Sequence, residues 1–219
     1  MTKESDNTHI DELDRFKYPA CSTSIDRYVF ANGWTKGKTV LDAATGYGFG
    51  AGILLSLGAK SVVGIDTDEV AIDDANKRFE SPKAVFTTCD IFNLTDSFKE
   101  NEFEVCTSIE TFEHLPPDRL DEYLQSLRTV TSEVIFITTP KRKTDEWVYD
   151  GGTHLYEYSP QEFVDALNKN FPNDDVGGFG IIESPLKSSL PGIERQWGST
   201  VTNNLSEGWV MVGIITLNK

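Results

Sequence analysis

Between Thr39 and Leu57 a short apolar run ending in an acid, Thr39-Val-Leu-Asp42, passes into Ala-Ala-Thr-Gly46-Tyr-Gly48-Phe-Gly50 and then into the apolar stretch Ala51 to Leu57. A strand, glycines that permit a sharp turn, and a helix stopped at Gly58 together form one strand-turn-helix unit. The unit then recurs. Ser61-Val-Val-Gly-Ile65 is the next strand, and from Thr67 a helix places Ala71, Ala75 and Phe79 on one stripe, with Pro82 marking its exit. Ala84 to Thr88, Glu104 to Ser108 and Glu133 to Thr138 are further strands, rich in Val, Ile, Phe and Thr. Between the last two, Leu120, Tyr123, Leu124 and Leu127 recur at helical spacing behind Pro116 and Pro117, which suit a helix's first turn. Ser159-Pro-Gln-Glu162 combines a capping box with Pro at the first helical position and starts another helix.

Two strands, Phe179 to Ser184 and Trp209 to Leu217, close the pattern, and the Ser/Pro/Gly/Asn-rich stretch of more than twenty residues between them reads as a substrate-side loop. Ser24 to Asn32 reads as a helix closed by Gly33, with Trp34 sealing the loop that follows. Alternating strands and helices imply an α/β, Rossmann-like, mainly parallel sheet with helices on both faces and ligands beyond the carboxyl ends of its strands. The expected organisation is a polar leader with a substrate-covering helix over residues 1–38, and one domain over 39–219.

Charge narrows the partners. Lys and Arg total 20 against 35 Asp and Glu, a formal net charge of -15, which repels phosphate backbones and makes nucleic acid an unlikely partner. Three widely separated cysteines (Cys21, Cys89, Cys106) without a C-x-x-C pair fit a reducing, cytoplasmic setting. The polar start, Met1 to Asn7, and the lack of an apolar run near the roughly 18–20 residues that cross a bilayer lead us to expect a soluble, unexported protein.

The glycine spacing differs from G-x-G-x-x-G, and Asp42 would set a negative charge near a pyrophosphate, so a nicotinamide dinucleotide fits poorly. Asp66, 24 residues after Asp42, closes the second strand where a ribose diol would find its acceptor. A ribose-bearing cofactor without phosphate and with cationic groups resolves the conflict, and S-adenosylmethionine is such a molecule.

Further along, Glu110-Thr-Phe-Glu113-His114 follows the fourth strand. If that segment opens as a helix, Glu110 and Glu113 share a face beside His114, a mixed oxygen and nitrogen set for a divalent ion such as Mg2+, which distant His154 would complete. His114 and His154 are equally candidates for acid-base catalysis or for orienting the acceptor. Lys141-Arg-Lys143 is the one basic cluster and would receive a phosphate, carboxylate or nucleotide-linked sugar unless it is a solvated turn; Trp147, Tyr149, Tyr156 and Tyr158 behind it would wall an acceptor pocket.

Val40-Leu-Asp-Ala-Ala-Thr-Gly-Tyr-Gly48, Val63-Gly-Ile-Asp66, Cys89-Asp90-Ile91 and Phe103-Glu-Val through Glu113-His114-Leu115, in that order, resemble the class I S-adenosylmethionine-dependent methyltransferases over residues 25 to 170. The resemblance implies a seven-stranded sheet with an antiparallel last strand. It places Asp42, Ala43, Ala44 and Gly46 at the methionine end, Asp66 on the ribose hydroxyls, Asp90 and Ile91 at the adenine, and Thr67 and Ser108 close by. Ala44-Thr45 stands where the family often has Gly-Cys.

The Glu-x-x-Glu-His segment is similar to that of ubiquinone-biosynthesis O-methyltransferases and small-RNA 2′-O-methyltransferases, whose matching residues bind a metal. Gly152-Thr-His154 with Tyr158-Ser-Pro-Gln-Glu-Phe163 is similar to the former group. Glycan methyltransferases share an Arg-Tyr like Arg27-Tyr28. The implied activity is O-methylation of a hydroxyl on a small molecule or glycan. Metal-assisted 2′-O-methylation of RNA, an NAD-dependent reductase, and a non-catalytic partner protein on the same fold stand as alternatives.

Overall fold

A computed structural model describes residues 19–219 except positions 80, 148, 150 and 187–195, and side chains from position 25 onward with the further exception of 183–199. The leader, residues 1–18, lies outside the described residues, as does part of the stretch expected to be a loop. The elements run α1 (Pro19–Thr35), β1 (Thr39–Ala43), α2 (Phe49–Ser56), β2 (Ser61–Asp66), α3 (Glu69–Arg78), β3 (Ala84–Thr88), β4 (Phe103–Ile109), α4 (Leu120–Val130), β5 (Thr131–Pro140), α5 (Pro160–Asn170), β6 (Asp175–Leu186), β7 (Gln196–Thr202) and β8 (Val210–Thr216).

The sheet order is β3-β2-β1-β4-β5-β8-β6-β7. The first five strands are mutually parallel, and β8 runs antiparallel to both β5 and β6. This is the expected Rossmann-like sheet with its last strand reversed. One strand is added to the expected set: β7 lies in the stretch read as a loop and pairs with β6 from Gly180↔Thr202 to Leu186↔Gln196.

Strand alternation sends successive side chains to opposite faces. On β1, Leu41 and Ala43 join α4 and α5 in one core with Tyr123, Leu124, Phe163 and Leu167. Val40 faces the other core, which α1, α2 and α3 complete with Tyr28, Ala51, Leu54, Ile72 and Ala75. The same division holds on β5, where Ile135 and Ile137 face one core and Val134 and Phe136 the other. Helices therefore cover both faces, and all five parallel strand ends emerge on one edge.

Local signals account for most boundaries. Asp68 rather than Thr67 caps α3, accepting from the backbone N–H groups of Val70 and Ala71. The capping box at Ser159 forms as read: Ser159 Oγ accepts from Glu162 N at 3.3 Å, and Glu162 Oε2 accepts from Ser159 N at 2.7 Å. Helix α1 runs past Gly33 to Thr35, so Trp34 lies in a helix and packs on Phe136 with ring centroids 5.6 Å apart.

Close packing of α1 on α2 depends on one missing methyl. A Cβ at Gly50 would lie 2.0 Å from the Tyr28 ring. Gly50→Ala should therefore destabilise the chain by about 1–3 kcal/mol and lower its melting temperature by several degrees. A thermal melt indistinguishable from wild type would show that Tyr28 does not pack as described.

Candidate functional site

At the tip of β1 the chain turns through three left-handed residues, Ala44 (φ 60°), Gly46 (φ 53°) and Gly48 (φ 77°). Ala44 bears a left-handed conformation that costs a non-glycine residue about 1–2 kcal/mol, so the turn is strained at this residue. Hydrogen bonds hold it. Thr45 N–H donates to Ile65 O at 2.8 Å, and Gly46 N–H donates to Asp66 Oδ2 at 2.9 Å. Asp66 Oδ1 also accepts from Asp68 N at 3.1 Å, so the carboxylate ties the glycine turn to the entry of α3.

Beyond these tips lies a cleft of about 720 Å3. Ala44, Gly46, Asp66, Thr67, Asp90, Ile91, Glu110, His114 and His154 all line it, so most of the residues singled out in the sequence meet in one place. Asp90 is fixed by accepting from Phe92 N at 3.0 Å and from Asn93 Nδ2 at 3.3 Å. Among the described residues the cleft's lining carries acids but no Lys or Arg.

Three of the expected cofactor residues sit behind the wall instead. Ala43 belongs to a core, and Ser108 is fully buried with its Oγ accepting from Tyr123 Oη at 2.8 Å. Asp42 is also fully buried: it accepts from Thr45 Oγ1 at 2.6 Å, from Thr107 Oγ1 at 2.8 Å and from the Tyr28 hydroxyl. Asp42 and Ser108 stand one step before the ends of β1 and β4, where their side chains turn inward. Burial is the main force on Asp42 and pushes its carboxyl up to about 6, against the three hydrogen bonds that favour the anion.

The segment after β4 is not the helix expected from Glu110. Glu110 itself is left-handed (φ 52°), and only Phe112–His114 forms a 3-10 turn. Glu110 Oε1 is taken by Arg27 Nε at 3.3 Å and by the Thr138 hydroxyl at 2.7 Å. It therefore leaves the expected metal set, whereas one ligand atom each from Glu113, His114 and His154 lie within 4.8 Å of one another. Glu113 is buried, and its Oε2 accepts from Thr139 Oγ1 at 3.0 Å; burial, reinforced by the nearby Glu110 charge, holds its carboxyl well above the usual range.

Packing and backbone bonds bring the two distant histidines together. The turn is anchored by Phe112 against Tyr158 and Phe163, with ring centroids at 4.8 and 5.3 Å. Glu113 O accepts from Leu155 N at 2.8 Å and Tyr156 N at 3.2 Å, which zips the 153–156 loop to the turn. The imidazoles then lie with centroids 5.0 Å apart. His114 Nδ1 donates to Thr153 O, and His154 Nδ1 donates to Glu157 Oε1, each at 2.9 Å. Both tautomers are thereby set with Nε2 carrying the lone pair, ready for a proton or a metal.

Glu157 was missed in the sequence. Its signal was its position three residues after His154, a spacing that many carboxylates share. The basic cluster divides: Arg142 pairs with Glu162 at 2.9 Å and donates to Tyr156 Oη at 3.1 Å, Lys141 bonds Ser206 O, and Lys143 stays exposed without a partner among the described residues.

Residues 40–133 match a family described as a methyltransferase domain. Over 57 residues the chain is 44% identical to the ribosomal protein L11 methyltransferase of Clostridium perfringens; that match covers 26% of this chain and 17% of the relative, so the chain spans about a sixth of the curated relatives it matches. A SAM dependent methyltransferase from Archaeoglobus fulgidus has a similar structure, with a TM-score of 0.65 at 17% identity over 94% of this chain and 100% of that one. Magnesium protoporphyrin IX methyltransferase from Synechocystis PCC 6803 with bound SAH gives 0.61 at 14% identity over 97% and 90%. At such identities the likeness is one of fold. Among the described residues no helix is long and apolar enough to cross a membrane.

Asp42 supplies a direct check on the buried wall. An acid that titrates higher folded than unfolded binds more protons when folded, so stability falls as pH rises from the usual 3.8 through about 6. That interval corresponds to a loss of about 3 kcal/mol. Asp42→Asn retains an acceptor for Thr107 and should flatten this part of the urea-unfolding profile; a slope equal to wild type would contradict the assignment.

Proposed function

We propose that the chain is a class I S-adenosylmethionine-dependent methyltransferase and that it methylates a hydroxyl group of a small molecule or glycan. The observation that carries the hydroxyl reading is the pair of histidines lining the cleft with Nδ1–H committed, which leaves His154 Nε2 as an acceptor while His114 Nε2 lies 3.8 Å from Glu113 Oε1. An amine attacks a sulfonium methyl without help once it is neutral, whereas a hydroxyl must lose its proton as the new C–O bond forms. His154, its Nδ1–H held by the Glu157 carboxylate, is suited to take that proton because this bond fixes the tautomer with the lone pair at Nε2.

The cleft's chemistry fits the cofactor. Acids and no Lys or Arg among the described lining residues suit a cationic nucleoside and disfavour the pyrophosphate of NAD, which counts against the reductase alternative. Ala44 and Gly46 would hold the methionine end, Asp66 the ribose hydroxyls, and Asp90 with Ile91 the adenine, with Thr67 alongside. S-adenosylmethionine, when bound, supplies an electrophilic methyl whose sulfur departs as a neutral thioether. Asp42, Ala43 and Ser108 serve it through the wall, by fixing the turn and the strand ends. A net charge of -15 weighs against an RNA acceptor. The free, buried Cys89 and Cys106 suit the cytoplasm.

A divalent ion such as Mg2+ is the alternative to a histidine base, because it would occupy the same Nε2 atom of His154. Glu113, His114 and His154 would hold it, since a carboxylate and two imidazoles with outward Nε2 atoms form a workable ligand set, and it would lower the pKa of a bound hydroxyl. Glu110 stays with Arg27 in this assignment.

Three measurements test the reading. Asp66→Ala should weaken S-adenosylmethionine binding by about 1–3 kcal/mol in calorimetry, and unchanged affinity would mean the ribose lies elsewhere. His154→Ala should lower methyl transfer to a hydroxylated acceptor by about 10²- to 10⁴-fold with cofactor affinity preserved, and wild-type rates would remove it from the reaction. Chelator should abolish transfer, and added Mg2+ restore it, if the metal takes part; full activity in chelator leaves the histidine as the sole base.

A further inference from the structure

A second cavity of about 630 Å3 opens beside the cofactor cleft, lined by Lys143, Thr144, Glu146, Trp147 and Glu157 together with the 152–154 turn. Thr153 and His154 line both cavities, so the two are separated by one turn of chain whose histidine is the proposed base. A volume of this order holds a substrate of one or two rings.

The lining is specific in kind. Trp147 Nε1–H donates to Leu155 O at 3.2 Å, which fixes the indole by its edge and leaves a flat apolar surface as the cavity's main non-polar element. Around it stand a Lys143 ammonium without a partner among the described residues, the carboxylates of Glu146 and Glu157, and the Thr153 hydroxyl. Glu157, which lines the cavity, commits Oε1 to His154 and leaves Oε2 as a further acceptor.

These groups discriminate between acceptor chemistries. An apolar or aromatic ring would desolvate an ammonium and two carboxylates without replacing their hydrogen bonds, which weakens its binding. An anionic acceptor would meet two carboxylates against one ammonium, in a chain already at -15. A cationic amine would pair with the carboxylates but leave the Lys143 ammonium without an acceptor, and must itself shed a proton before it can attack. An uncharged ring bearing several hydroxyls satisfies both kinds of neighbour, since each hydroxyl donates to a carboxylate and accepts from the ammonium, while its C–H face lies on the indole.

We propose that this second cavity is the acceptor subsite and that it takes an uncharged polyhydroxylated ring, a glycoside, stacked on Trp147 with one hydroxyl presented to His154. This rests on the methyl-transfer reading of the adjoining cleft. In the step, the hydroxyl oxygen forms a bond to the methyl carbon, the carbon–sulfur bond breaks with its electron pair passing to sulfur, and the hydroxyl proton passes to His154 Nε2.

The test separates the subsite from the cofactor cleft. Saturation-transfer NMR on the full chain, without cofactor, would use a panel of neutral methyl hexosides against glucuronate, glucose 6-phosphate, catechol and tyramine. At least one methyl hexoside should receive saturation and outcompete the other classes. Trp147→Ala should raise its Kd about tenfold or more, Trp147→Phe should retain binding, and S-adenosylmethionine affinity should stay within about twofold of wild type in both.

Preferential binding of catechol, tyramine or either anion overturns the proposal, as does silence from every hexoside or binding indifferent to Trp147→Ala. Hexoside binding in a chain that fails to bind S-adenosylmethionine sinks the methyl-transfer reading, and the subsite's catalytic role with it. Cofactor binding with no hexoside bound sinks the subsite alone.

Discussion

The site depends on two carboxylates that work on opposite sides of one turn. Asp66 accepts from Gly46 N–H and Asp68 N–H, and so holds the glycine turn to the second strand. Asp42, beneath the same turn, gathers Thr45, Thr107 and Tyr28 and thereby joins β1, β4 and α1 at one buried point. A buried acid is costly unless its oxygens are satisfied, and here three hydroxyls satisfy them. The left-handed backbone at Ala44 persists because these bonds over-determine it. Without them the strand ends would still form a sheet, but the cleft at its edge would lose its floor.

The second half of the site is built from a different principle. His114 and His154 are 40 residues apart in the chain, and their approach is set by backbone bonds onto the Glu113 carbonyl and by the Phe112, Tyr158 and Phe163 cluster below. Each imidazole donates Nδ1–H to a fixed acceptor, so both Nε2 atoms are presented without competition from the other tautomer. Rigid support of this kind lets one loop serve two cavities.

Much of this was legible in the sequence because it is carried by local signals. The strand-turn-helix order, the capping box at Ser159 and the acid closing β2 need only near neighbours to be read, and they held. What was not legible depended on contacts between distant segments. Glu110 looks equivalent to Glu113 in sequence, yet Arg27 from α1 and Thr138 from β5 draw it away from the histidines. Asp42 reads as a ligand-facing acid because the strand tip falls one residue later than its motif suggests, which turns it inward. Strand β7 hides in a polar, glycine-containing segment whose pairing with β6 is supplied by backbone groups, which leave little trace in side-chain pattern.

One structure would bear most directly on the whole: a crystal of this chain grown with S-adenosylhomocysteine. The account predicts the nucleoside lying across the tips of β1 and β2, its ribose diol on the Asp66 carboxylate and its sulfur directed toward His154. A nucleoside bound elsewhere, or an Asp66 carboxylate turned wholly into the glycine turn with no sugar contact, would contradict it.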